Sequence, residues 1–309
     1  MSLEERNDDM RIAVIGIGSN SVRMLVAQVE AGQIQHLVRD RAGTRLFGGL
    51  DDKGNLIPQS MRDTVCAVCQ MQMKALHMGA EKVHIFATSA VRDAGNQYEF
   101  SRMILENTGI NLEICSGETE AALSFLGATD GERCGVIDIG GGSTEYVIGQ
   151  GIQIETGISL QMGAVRLHRQ MPIASENDVA RVIALAAQIF DRGGAQLLAF
   201  SRPEAWIGVG GTFTTLASLV QDKPWSDRSQ THGALITQEA AWRFARQLAN
   251  MTVEERIALK GLQPHRADIV VHGICILLAS MERLKISRIQ VSTYGNVDGY
   301  IKHHYAQSA

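Results

Sequence analysis

The chain contains no GxxxxGK[S/T] segment, which excludes the lysine-bearing nucleotide loop of Walker type. After Gly16 and Gly18 no third glycine follows at the offset of the dinucleotide fingerprint, so that signature is absent too. Lys and Arg total 29 against 33 Asp and Glu, a net charge of −4. Without a basic excess, neither nucleic acid nor a membrane surface is expected as a partner, and any positive site for an anion has to be local. The first residues, MSLEERNDDMR, are charged and lack an apolar core, so no secretory leader is expected. The longest apolar stretch, around residues 274–281, is too short to cross a bilayer. These absences lead to the expectation of a soluble, cytoplasmic protein. The nine histidines include no HExxH, and the five cysteines are an odd number that favours reduced thiols over disulfides. Cys66 and Cys69 form a CxxC with no second pair to complete a zinc site, and read as packing residues of a methionine-rich helix over residues 60–78.

What the sequence does contain is one glycine-rich turn written twice, about 120 residues apart: VIGIGSNS at 14–21 and VIDIGGGS at 136–143. Each copy starts as a short β-branched run, passes through a Gly/Ser turn and resumes as a second apolar run, over 22–29 and 146–154, the pattern of a hairpin. With only small side chains at the tip, backbone N–H groups can converge on a tetrahedral anion while the serines add hydroxyl donors. The pair suggests a duplicated supersecondary unit whose two tips would grip linked phosphates.

Between and after the hairpins, strands alternate with helices: a strand near 83–89, a helix near 98–107 stopped by Gly109, a strand at 111–115, and a helix from SGETEA at 116–121 to about residue 128. Ser175 and Thr252 open capping-box-like starts, a strand at 205–209 runs into GGTFT, an apolar helix spans about 267–283, and a last strand covers 288–292. This is a mixed α/β architecture of 309 residues, long enough for two domains. With no low-complexity linker, the junction is expected as a structured crossing at the helix after Glu120. The 267–283 helix is apolar enough to serve a homodimer interface, although burial in its own domain is the better account of it.

Asp138 stands within the second strand between Ile137 and Ile139, where a buried charge is costly unless it is paired or near a metal. Glu145 leaves the same turn and could serve a cation or simply be solvated. Glu118 and Glu120 open a helix, where acids are also favoured by the helix dipole. Arg92, after a strand end, offers a planar donor fork to an oxyanion or an ion pair to Asp93.

Taken together, GIGSNSVRML, ATSAVRDA, SGETEA, VIDIGGGSTEYVIG, QMGAVRL, GVGGTFTTLA and RADIVVHGICILL resemble the exopolyphosphatase/guanosine pentaphosphate phosphohydrolase family in its short two-domain form. The resemblance implies two ribonuclease-H-like domains of the actin, hexokinase and heat-shock-ATPase superfold, with mixed sheets flanked by helices and the active site in the cleft. The implied domains are residues 1–122 and 123–309, the carboxyl-terminal helix packing back on the first. Glu120 then matches the catalytic glutamate that deprotonates water, and Arg92 a phosphate-contacting arginine. Asp138 and Glu145 match acids around a Mg²⁺ site, which Mn²⁺ could also fill. Ser19, Asn20 and Ser21 match the first phosphate loop, Gly140, Gly141, Gly142 and Ser143 the second, and Gly210, Gly211 and Thr212 a third. The implied activity is Mg²⁺-dependent removal of the terminal phosphate of inorganic polyphosphate, with guanosine pentaphosphate (pppGpp) as a further substrate.

Two positions depart from the family pattern: Gly16 stands where an Asp is usual, and Val297 where an Arg is usual. They motivate a rival reading, a polyphosphate or alarmone sensor that binds but hydrolyses poorly, in which Gly16→Asp should restore activity. A small-molecule kinase on the same superfold is a third reading, less well matched by SGETEA.

Overall fold

The computed structural model describes residues 10–226 and 230–306, so most of the charged amino terminus lies outside the described residues. The chain forms two compact units, Met1–Cys115 with Val297–Ala309, and Ser116–Asn296.

In the first unit β1 (Met10–Ile17), β2 (Ser21–Glu30) and β3 (Gln33–Gly43) form an antiparallel meander. β4 (Lys82–Ala87) adds in parallel to β1, and β5 (Glu113–Ile114) to β4, giving the order β3-β2-β1-β4-β5. The β3-to-β4 crossover is helix Pro58–His77, which has proline in its first turn and buries Met61, Val65, Val68, Met71 and Ala75 along one face. Helix Gln97–Thr108 returns to β5 and ends at Gly109, whose φ of 73° is the left-handed conformation that glycine adopts freely. Cys66 and Cys69 are free thiols on the first of these helices. Helix Asn296–Tyr305 belongs to this unit from Val297 onward. Its Tyr300 ring stacks on Phe86 with centroids 5.2 Å apart, and its hydroxyl donates to Glu113 at 2.8 Å.

The second unit repeats the scheme. β6 (Cys134–Ile139), β7 (Thr144–Gln150) and β8 (Gln153–Leu160) form a meander, and β9 (Ala205–Val209) lies parallel to β6. β10 (Leu235–Thr237) and β11 (Arg288–Val291) complete the order β10-β11-β9-β6-β7-β8. The single apolar run expected over 146–154 is two strands. Gly151, at φ 59°, reverses the chain between β7 and β8.

Strand alternation sorts the side chains of β6 and β7 between two faces. Ile137, Ile139, Tyr146 and Ile148 enter the large core with helix Val270–Leu284, whose residues are nearly all buried. Val136 and Val147 instead pack with Ala121, Phe125 and Ala128 of helix Gly117–Ala128. The Val, Ile and Phe side chains among these contribute about 1.5–3 kcal/mol each by leaving water. Among the described residues no helix is long and apolar enough to cross a membrane.

Candidate active site

The face of β6 and β7 that carries Val136 and Val147 also carries Asp138 and Glu145, which stand directly opposite each other in register. The apolar pairing therefore gives way to two carboxylates beside the turn. Both are buried, at 7% and 1% exposure, and each accepts a hydrogen bond from a serine hydroxyl. Ser124, on the overlying helix, donates to Asp138 at 2.6 Å; Ser159, opposite Glu145 on β8, donates to Glu145 at 2.7 Å. Glu120 is buried in the first turn of the same helix, whose Ser116 hydroxyl caps the Thr119 N–H at 3.0 Å. Burial, together with the negative charges of Glu120 and Asp138, pushes the Glu145 carboxyl well above the usual carboxylate range, against the opposing pull of the Ser143 and Ser159 hydroxyls. Three acids thus share one electrostatic environment. Among the described residues no three His, Cys, Asp or Glu side chains are grouped so as to hold a metal by themselves.

The turn between β6 and β7 has its carbonyls tied back. Gly140 N donates to Ser143 O at 3.0 Å and closes the tip. Helix Ala164–Gln170 begins against it: Ala164 N donates to Gly140 O at 3.0 Å, and Val165 and Arg166 N to Gly141 O at 2.9 and 3.0 Å. The Arg166 side chain adds Nε to Gly142 O at 2.7 Å. A side chain on Gly163 would collide with the Gly141 and Gly142 backbone, so only glycine permits this approach. With its carbonyls engaged by this helix start, the turn is arranged as an N–H-rich loop, the polarity an anion requires. QMGAVRL carries this function, which the sequence reading used only as a family marker.

The first unit holds its turn in the same way. Gly18 N donates to Ser21 O at 3.1 Å, matching Gly140 and Ser143, while Arg45 N and Phe47 N take the Asn20 and Ser19 carbonyls at 3.2 and 2.9 Å. Ser19 Oγ and Ser89 Oγ share a hydrogen bond of 2.9 Å, and the buried Asn20 amide has no partner for Oδ1 or Nδ2 within the described protein. A buried amide left this way costs free energy that a ligand oxygen on Nδ2 would recover in part. Arg92 closes the short helix Ser89–Arg92; its Nη1 donates to the Cys115 carbonyl at 3.0 Å, and its Nε lies 3.6 Å from Asp93. Gly210, at φ 101°, lies against Ile139 O and Asp138 Oδ1, which brings the third loop to the Asp138 carboxylate. A residue that sequence reasoning did not single out adjoins this loop. The buried Arg266 guanidinium rests directly on Gly211, while Thr212 fills the space above Gly273. Its cue in the sequence is the RADIVVHG string, which serves there as a family marker only.

Two α/β units of like strand order each carry a turn with its carbonyls engaged, and the second adds buried carboxylates beside its turn, an arrangement whose polarity suits a phosphate. Residues 25–306 match the model of the Ppx/GppA phosphatase family, and the chain belongs to that family. It is 31% identical over 312 residues to exopolyphosphatase 2 of Mycobacterium tuberculosis, covering 94% of this chain and 97% of that protein. Exopolyphosphatase 1 of Mycobacterium leprae is 27% identical, with coverage of 94% and 88%. Among solved structures, an exopolyphosphatase from Cytophaga hutchinsonii superposes with a TM-score of 0.84 at 26% identity, covering 94% of this chain and 97% of that one. The PPX-GPPA enzyme of Aquifex aeolicus gives 0.79 at 27%, with 96% and 99% covered.

Proposed function

We propose that this protein is a cytoplasmic exopolyphosphatase that hydrolyses the terminal phosphoric anhydride bond of inorganic polyphosphate, with pppGpp as a second substrate. One observation carries the reading: Glu120, Asp138 and Glu145 are buried together beside a turn whose carbonyls are held back. The names of the relatives supply the substrate class. In this mechanism Glu120 orients water and takes its proton as the oxygen attacks the terminal phosphorus in line. The amides at Gly141, Gly142 and Ser143 hold the equatorial oxygens. Ser19, Asn20, Ser21 and Arg92 give the first unit a phosphate-contact set of its own. Catalysis rests on positioning and charge stabilisation.

Asp138 and Glu145 fit a Mg²⁺ ion, because this ion takes one or two carboxylates and completes its shell with waters and substrate phosphates. When bound, it would neutralise phosphate charge, and it would favour the ionised form of Glu145. The decisive assay is phosphate release from long polyphosphate, tripolyphosphate and pppGpp with and without Mg²⁺. Glu120→Ala should lower turnover on the order of 10²- to 10⁴-fold. Unchanged turnover would remove Glu120 from the role, and tight binding of polyphosphate by the wild type without release would favour the sensor.

A further inference from the structure

Gly16 and Val297, far apart in sequence, meet in the first unit. A methyl placed on Gly16 would lie 2.9 Å from Val297 Cγ1 and 2.9 Å from Phe86 Cζ, distances that real Cβ atoms do not tolerate. Neither neighbour is free to withdraw. Phe86 is stacked on Tyr300 with the rings 2° from parallel, and Val297 lies in the first turn of a helix held on two sides. Asp298, next to Val297, accepts from Arg39 on β3, including a 3.2 Å bond from Nη1. Tyr300 donates to Glu113 at the head of β5. Gly16 lies two residues before Gly18, and β1 at this point is registered to Arg23 on β2 and to Phe86 on β4.

We propose that Gly16 and Val297 act as a single size-matched pair, with Val297 a positioning residue that seats the end of β1 and thereby the Gly18–Ser21 turn. The proposal rests on the phosphatase reading for what the turn binds. The space beside Gly16 is filled by apolar contact with Val297 and Phe86. Gly16→Asp consequently adds bulk and charge where no room exists, and should lower turnover where repair of a lesion would raise it.

The test is a size-swap cycle of Gly16→Ala, Val297→Ala and the double variant, followed by thermal melting and by polyphosphate titration beside steady-state kinetics. Each single variant should melt below the wild type, and the double variant above Gly16→Ala, since the new methyl enters the space vacated by Val297. Val297→Ala, a mild truncation, should raise both the dissociation constant and KM for polyphosphate roughly three- to tenfold, more than it lowers kcat. Strictly additive melting shifts, or a Val297→Ala enzyme with unchanged affinity and KM, would overturn the proposal. Failure of the wild type to release phosphate would sink the phosphatase reading instead, and the melting cycle and titration would still decide the pairing.

Discussion

Ser124 and Ser159 each hold one inner carboxylate through a single hydroxyl. For Glu145 the Ser159 bond favours the charged form against burial and the charges of Glu120 and Asp138. Removing it should raise the Glu145 pKa further, because a donor to a carboxylate stabilises the ionised state that is being lost. Protons then compete better with a cation. Ser159→Ala should therefore need more Mg²⁺ for half-maximal phosphate release, by about tenfold, and the acid limb of the rate profile should move to higher pH. An unaltered Mg²⁺ requirement and an unaltered acid limb would separate Ser159 from the site's chemistry. The burial of Asp138 was legible in the sequence, since a charge between Ile137 and Ile139 has few structural excuses, whereas Glu145 read equally well as a solvated strand residue. Their serine partners were not legible, because pairing across 14 residues depends on the helix face and on β8 register.

At the scale of elements, the hairpins could be read from alternation and small turn residues, but the parts that set their polarity could not. Helix Ala164–Gln170 is short, starts without a side-chain cap and follows a Met-Gly pair. Its purpose appears only when its N–H groups are seen on the Gly140 and Gly141 carbonyls. Helix Gln238–Ala249 and strands β3 and β10 likewise lie outside the motifs and were not anticipated. Gly163 is the point where turn and helix touch. Gly163→Ala should force them apart and cost about 1–3 kcal/mol of stability, as overpacking of a tight contact does. Since the displaced group is the turn itself, phosphate release should fall by about 10²-fold, a loss expected from a misplacement near 1 Å. A Gly163→Ala protein that melts lower yet keeps full kcat/KM would show that the helix supports the fold without shaping the turn.

On the scale of the whole molecule, the duplication legible in VIGIGSNS and VIDIGGGS extends to the strand plan, a meander followed by a parallel strand in both units. The return of the chain to the first unit at Val297 brings Val297 to Gly16, a contact that local sequence patterns do not encode. Buried groups far from the turns also set how the protein responds to pH. His272, 1% exposed within helix Val270–Leu284, bonds through Nε2 to the Met171 carbonyl at 3.0 Å and faces His168 edge-on. Burial is the main cause that takes its pKa from 6.5 down to about 4, helped by the charges of His168 and Arg256, while the Met171 bond and Asp268 act in the other direction. The folded state therefore prefers the neutral ring, and an unfolded chain binds the proton first as the medium is acidified. Stability from this residue is complete above pH 6.5 and drains away as pH falls toward 4, a loss of about 3 kcal/mol across the window. In urea titrations at pH 7.5 and pH 4.5, His272→Leu should be less stable than wild type at the higher pH, because the Met171 carbonyl loses its donor. It should nevertheless show a drop between the two pH values smaller by about 3 kcal/mol. An identical drop in both proteins would mean that other groups carry the acid sensitivity and that His272 stays neutral, or charged, in folded and unfolded chains alike.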